Sequence, residues 1–241
     1  MERISKNKIK HLRSLRLKKN RDLEQSFLIE GEKMVLEAVA EYASLIQEIY
    51  VLKESNLNIH FPAIFEISTS ESEQISSFKT PNKCLALLKY PKIEPQIENF
   101  TLVLDQIQDP GNLGTIIRLA DWYGLSKIVC SNDTVDCFNP KVIQASMGSI
   151  FRIQLEYVDL ENYLKAAQKP IFGALLNGEN VYKTNLPDEA ILIMGNEGNG
   201  ISDTIQQFIS HQLTIPRFGK AESLNVASAT GILLSEFHRN K

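Results

Sequence analysis

The chain predicts an α/β protein: a sheet of parallel strands covered on both faces by helices, preceded by a smaller α/β unit. Three observations carry that expectation. Short apolar runs alternate with helix-period segments along most of the length. Beyond residue 100 the runs are apolar at every position instead of every second one, as in strands buried on both faces. The stretch from Tyr90 to Asn99 holds two prolines and no periodicity, so it reads as a semi-rigid linker.

Taken in order, Ile9, Leu12 and Leu15 recur at helical spacing among basic residues, so the first segment is a basic helix with one apolar stripe. Residues 27–30 lead to a turn at Gly31 and a second helix carrying Met34, Val35, Ala38 and Val39. Strands are expected at 49–52 and 63–67, a short helix at 70–77 and a buried strand at 84–88. Residues 1–92 thus form the first domain, 93–99 the linker and 100–241 the second domain. In the latter, strands are expected at 101–104, 127–130, 171–175, 190–194 and 213–215, and helices at 114–123, 140–147, 202–209 and 224–239.

With 43% of its 241 residues apolar and 23% charged, the chain excludes wholesale disorder, a collagen rod and a coiled coil. Cys84, Cys130 and Cys137 match neither a redox pair nor zinc-ligand spacing and are expected as reduced core thiols. His11, His60, His211 and His238 are scattered, so no metal is expected. The basic N-terminus lacks an apolar signal region and no run approaches the length of a membrane span, which points to a cytoplasmic protein. The net charge of -3 conceals a polarity: residues 1–21 carry nine Lys or Arg against Glu2 alone, which leaves 17 basic and 28 acidic residues elsewhere. Such a segment suits neutralisation of phosphates on a polyanion, although a solvated basic helix would have the same charge.

Ligands of parallel sheets bind at the carboxyl ends of strands, and three turns there stand out. In the first, Asp109-Pro110-Gly111-Asn112-Leu113-Gly114 forces a tight turn, with Arg118 one helical turn after Gly114. That guanidinium can grip a phosphate with two parallel bonds, or pair with a surface carboxylate while Asn112 caps the helix. In the second, residues 195–200 contain three glycines and two asparagines around Glu197, a loop that lets backbone approach a ligand closely. It matches neither a dinucleotide fingerprint nor a Walker loop. In the third, residues 215–225, Ser223 is the expected cap of a helix rich in small residues.

In this order and spacing the motifs resemble those of the SpoU/TrmH family of RNA ribose 2'-O-methyltransferases, within the knotted SPOUT superfamily. The matching residues are Asn112, Gly114 and Arg118, then Gly195-Asn196-Glu197-Gly198-Asn199-Gly200-Ile201, then Ile215-Pro216 and Ser223-Leu224-Asn225. One departure is the order Ala227-Ser228 after Val226. The front of the chain, through Phe27-Leu28-Ile29-Glu30-Gly31-Glu32-Lys33, is similar to the family's N-terminal substrate-binding domain, itself like RNA-binding ribosomal proteins.

The resemblance implies a C-terminal trefoil knot, a homodimer and S-adenosylmethionine as cofactor. It implies that Leu176, Asn177, Gly178, Gly195, Asn196, Gly200, Ile215, Pro216 and Leu224 line the cofactor pocket. Catalysis falls to Asn112, Arg118, Glu197, Ser223 and Asn225, with Arg118 in the activating role. A guanidinium stays protonated, so a phosphate-bound Arg118 that stabilises alkoxide charge is easier to defend than a basic one. RNA affinity is expected from Lys6, Lys8, Lys10, Arg13, Arg16, Lys18, Lys19 and Arg21. Only RNA carries the 2'-hydroxyl, so DNA is not a substrate. Ribosomal RNA is favoured over transfer RNA. The readings from other classes are an RNA-binding assembly factor without turnover and a nucleotide-dependent oxidoreductase, for which the fingerprint is missing.

Overall fold

In the computed structural model, residues 2–55, 57–94 and 99–239 are described. Positions 95–98 of the expected linker lie outside them. The described residues divide into two compact units: those up to Lys92 together with Phe138–Phe151, and the remainder.

The front unit opens with β1 (Glu2–Arg3) and α1 (Lys6–Ser14), where the Ser5 hydroxyl caps the helix by accepting from the Lys8 backbone N–H. The single basic helix expected here is two: the chain turns after α1 and restarts as α2 (Lys18–Glu24), which ends on Gln25 in the left-handed conformation. Then follow β2 (Ser26–Glu30), α3 (Glu32–Glu41), β3 (Ile46–Leu52) and β4 (Ile64–Ile67). Next come α4 (Thr69–Ile75), started by a reciprocal Ser68–Glu71 capping box, and β5 (Cys84–Lys89). The sheet runs β1-β4-β3-β5-β2, with β5 antiparallel to both neighbours. Leu12, Leu15, Tyr50, Ile67, Ile75, Leu85 and Leu87 pack as its core.

In the rear unit β6 (Phe100–Leu104) feeds α5 (Pro110–Trp122), followed by β7 (Lys127–Ser131). Helix α6 (Pro140–Ser146) then belongs to the front unit. Phe138 stacks on Tyr90 with ring centroids 3.9 Å apart and lies 4.9 Å from Phe27, and Phe151 stacks on Tyr42 at 4.7 Å, so this returning segment completes an aromatic cluster of that unit. Back in the rear unit come β8 (Gln154–Val158), α7 (Leu160–Lys165), β9 (Ile171–Asn180), β10 (Ala190–Met194), α8 (Asp203–Gln206), β11 (His211–Thr214) and α9 (Val226–Phe237).

Six strands in the order β11-β9-β10-β6-β7-β8 pair in parallel throughout, which is the expected sheet with one further strand, β8. Helix α9 starts at Val226 and its cap is Asn225, which corrects the expectation of Ser223: the Asn225 side-chain oxygen accepts from the Ala227 and Ser228 backbone N–H groups, and Ser223 is exposed. The three cysteines are free thiols, all buried. No helix among the described residues is long and apolar enough to cross a membrane.

Candidate functional site

Because the rear sheet is parallel, the turns after β6, β10 and β11 all leave from one edge, where β6 and β10 are neighbours and β11 stands beyond β10 across β9. The first turn starts α5. Asp109 is its cap, accepting from the Asn112 backbone N–H at 2.8 Å, and Pro110 occupies the first position, where a missing N–H costs nothing. With Asp109 as cap, the Asn112 side chain is available for other contacts.

It uses that availability to join the three turns. Asn112 Nδ2 donates to Glu197 Oε1 at 2.8 Å, and Asn225 Nδ2 donates to Asn112 Oδ1 at 2.8 Å. The direction of this relay follows from helix capping. The oxygen of Asn225 is committed to two N–H groups of α9, so only its amide nitrogen can face Asn112. Asn112 must then present oxygen to Asn225 and nitrogen to Glu197, and Glu197, exposed, ends the relay as an acceptor. Residues 85 and 113 positions from Asn112 are thus brought together.

The turn after β10 closes on itself. Asn196 and Gly200 exchange backbone hydrogen bonds of 2.9 Å in both directions, and Gly200 takes a φ of +72°. Gly195 is required by space: a Cβ there would stand 2.2 Å from Gly200 C and Ile201 N. Both feet of the loop are tied to the end of β6. Asn196 Nδ2 donates to the Gln106 carbonyl at 2.8 Å, and Ser202 donates to Asp105 Oδ2 through its backbone N–H and its hydroxyl, each at 2.8 Å. Gln106 holds a φ of 58°, a left-handed state that costs about 1–2 kcal/mol for a residue with a side chain. The sequence places Asp105 and Gln106 at the start of the first motif and Ser202 at the end of the second, but nothing in the local pattern gives any of the three a role.

Arg118 is exposed and stands outside the relay. Six positions along α5 carry it about 9 Å up the axis and about 120° around from Asn112. Ser223 is also outside. Of the expected cofactor contacts, Leu176 and Leu224 are open, 73% and 52% exposed, and Thr214 Oγ1 donates to the Leu176 carbonyl at 3.1 Å. Between Gly173 and Glu179 the pairing of β9 with β11 jumps, so residues 174–178, which include Leu176, Asn177 and Gly178, are skipped by the ladder. Gly178 touches the backbone of Gln212 and Leu213, where a Cβ would come within 2.6 Å. Ile215 and Pro216 follow β11 half-buried. Among the described residues no cluster of three metal-ligating side chains occurs.

The basic segment of the front unit is less uniform than its composition implied. Arg21 is 3% exposed and donates to the Leu15 and Arg16 carbonyls at 2.8 Å. Arg16 donates to the carbonyls of Gln74, Ile75 and Ser76 at the end of α4. These two guanidinium groups satisfy carbonyls at helix ends within the unit. Lys8 pairs with Glu48 at 2.5 Å and Lys18 with Asp22 at 3.6 Å. Lys6, Lys10, Arg13 and Lys19 are exposed.

Residues 99–235 match the model of the SpoU rRNA Methylase family, and residues 6–86 that of the MRM3-like substrate binding domain. The 23S rRNA (guanosine(2553)-2'-O)-methyltransferase RlmP of Bacillus subtilis (strain 168) is 34% identical, with 97% of each chain covered. Among solved structures, an RNA methyltransferase of the TrmH family from Porphyromonas gingivalis superposes with a TM-score of 0.83 at 39% identity, covering 99% of both chains. The AdoMet-bound rRNA methyltransferase from Sinorhizobium meliloti gives a TM-score of 0.82 at 28% identity, covering 99% of this chain and 97% of the other.

Proposed function

The chain belongs to the SpoU rRNA methylase family, and from that membership we propose that it transfers a methyl group from S-adenosylmethionine to the 2'-hydroxyl of a ribose in ribosomal RNA. The observation that carries the reading is the Asn225–Asn112–Glu197 relay, which joins all three motifs at one sheet edge.

The residues at that edge suit the cofactor. The turns offer backbone donors and acceptors, Gly195 leaves no volume for a side chain, and the open Leu176 and Leu224 provide apolar cover for a ring. Gly178, Asn177, Asn196, Gly200, Ile215 and Pro216 complete this binding set. When bound, S-adenosylmethionine supplies a methyl group already activated by a sulfonium charge. The protein's task is then to present the ribose oxygen in line, while the hydroxyl proton passes to solvent at this exposed edge. Glu197, held by Asn112, accepts from a ribose hydroxyl and fixes the sugar. Arg118, permanently charged and outside the relay of its own chain, binds an RNA phosphate and stabilises the developing alkoxide at a site that the homodimer builds from both chains. Ser223, exposed beside Asn225, contacts the same nucleotide.

Residues 1–92 bind the RNA and residues 100–241 carry the chemistry, with phosphate contacts from Lys6, Lys10, Arg13 and Lys19 and support from Lys8 and Lys18. The same reading includes a cytoplasmic location, a trefoil knot and a homodimer, the last supported by Trp122 at the end of α5 with 83% of its surface open. A sedimentation mass of one chain would remove the dimer.

The test is transfer of labelled methyl from S-adenosylmethionine into total RNA from cells lacking the gene. Wild-type protein is expected to label ribosomal RNA at a 2'-O position, and Arg118→Ala to lose at least about 100-fold in rate. RNA binding by the wild type without any transfer would overturn the reading in favour of an assembly factor.

A further inference from the structure

We infer that Asp105 is a positioning residue that clamps the 195–202 loop in its cofactor-binding shape before the cofactor arrives. The inference rests on the functional reading above but is carried by separate geometry. Asp105 is 2% exposed directly after β6, and one of its carboxylate oxygens takes two hydrogen bonds of 2.8 Å from Ser202, 97 positions away. Its own N–H donates to the Met194 carbonyl at 2.9 Å, at the other foot of the same loop.

Its neighbour completes the clamp. The Gln106 carbonyl receives Asn196 Nδ2 at 2.8 Å, while the Gln106 N–H donates to Ser131 Oγ at 2.9 Å, and Ser131 pairs with Thr134 at 3.1 Å. Residues 105 and 106 therefore grip both ends of the loop and are themselves fastened to the end of β7. Glu197 lies between the two gripped ends. A carboxylate is the group that suits the task, because one anionic oxygen can accept both a backbone N–H and a hydroxyl, each as a charge-assisted bond. Preformed loops bind tightly because ordering has already occurred in the free protein. The clamp predicts that Asp105 acts on cofactor affinity and turnover and leaves RNA affinity alone.

Three variants of the full chain, Asp105→Ala, Asp105→Asn and Ser202→Ala, separate this role from general stability. In hydrogen exchange without cofactor, Asp105→Ala is expected to speed exchange of the amides of residues 198–202 by about tenfold or more, with those of β7 and β10 unchanged. Its dissociation constant for S-adenosylmethionine should rise by about tenfold or more and kcat fall similarly, with KM for RNA within about twofold. Asp105→Asn, which keeps a carbonyl oxygen, should recover most of both effects, and Ser202→Ala should show a weaker version of each. Unchanged loop exchange, or an Asn variant as defective as Ala, overturns the clamp, as does uniform acceleration across the whole unit. If Asp105→Ala does not fold, the other two variants decide. If the wild type shows neither cofactor binding nor transfer, the functional reading falls while the exchange data still decide on the clamp.

Discussion

Two turns at the same sheet edge contrast sharply. The 195–202 loop is closed by its own backbone and fastened at both feet to β6. The 215–225 turn runs exposed from Arg217 to Asn225, with Arg217 donating to the Ala221 carbonyl at 3.1 Å and Phe218 95% exposed. The difference teaches that only part of the site is built by the fold. The glycine loop is braced by its own hydrogen bonds and those of β6, and the second turn lies open to solvent with few internal ties, apart from Asn225, which α9 holds as its cap.

Alanine at one glycine in each turn gives the largest and the smallest expected effects. Gly195→Ala forces a Cβ into the backbone of residues 200 and 201, so unfolding free energy should drop by about 2–3 kcal/mol in urea titration, and cofactor binding should be lost. The basic segment shows the same contrast between fastened and open groups. Arg21→Ala should lower stability by about 2–3 kcal/mol by stranding buried carbonyls, whereas neutralising Lys6, Lys10 and Lys19 should leave the melting temperature unchanged and reduce the salt slope of RNA binding by about 2–3.

A separate effect, spread over several pH units, comes from titration. Burial pushes the Cys84 thiol up from 9.0 to about 12, and burial also raises Cys130 and Tyr157. Between the unfolded and folded values the unfolded chain binds fewer protons, so stability falls as pH rises. Urea unfolding free energy should decline from pH 9 upward by at most about 1.4 kcal/mol per pH unit for each such group. The smallest change is Gly219→Ala, where a Cβ would meet nothing within 4 Å; stability should move by less than about 0.5 kcal/mol. A large loss there would show the second turn to be as fastened as the first.

Much of this was legible because the motif residues report backbone needs that composition cannot hide: Gly195 occurs where a side chain would collide, and Gly200 where the backbone takes a positive φ. Strand β10 was read at its observed bounds, since a fully apolar run ending on glycine admits few alternatives. Strand β8 was missed because Gln154, Leu155, Glu156 and Tyr157 alternate at a sheet edge and every residue of it is only half-buried. Asn225 was recognised but its capping role was given to Ser223, because both are good caps and local sequence does not say where a helix begins. Asp105 stands in the first motif, but its role is not legible there because its partner lies 97 positions away and no local pattern encodes such a pairing.

The return of Phe138–Phe151 to the front unit bears on synthesis. Folding that proceeds as the chain emerges from the ribosome cannot finish the N-terminal unit when its last strand, β5, appears, since Phe27 and Tyr90 still lack Phe138 and Tyr42 lacks Phe151. The two halves must therefore mature together, and a fragment cut at the linker would expose an aromatic surface that the intact protein keeps covered.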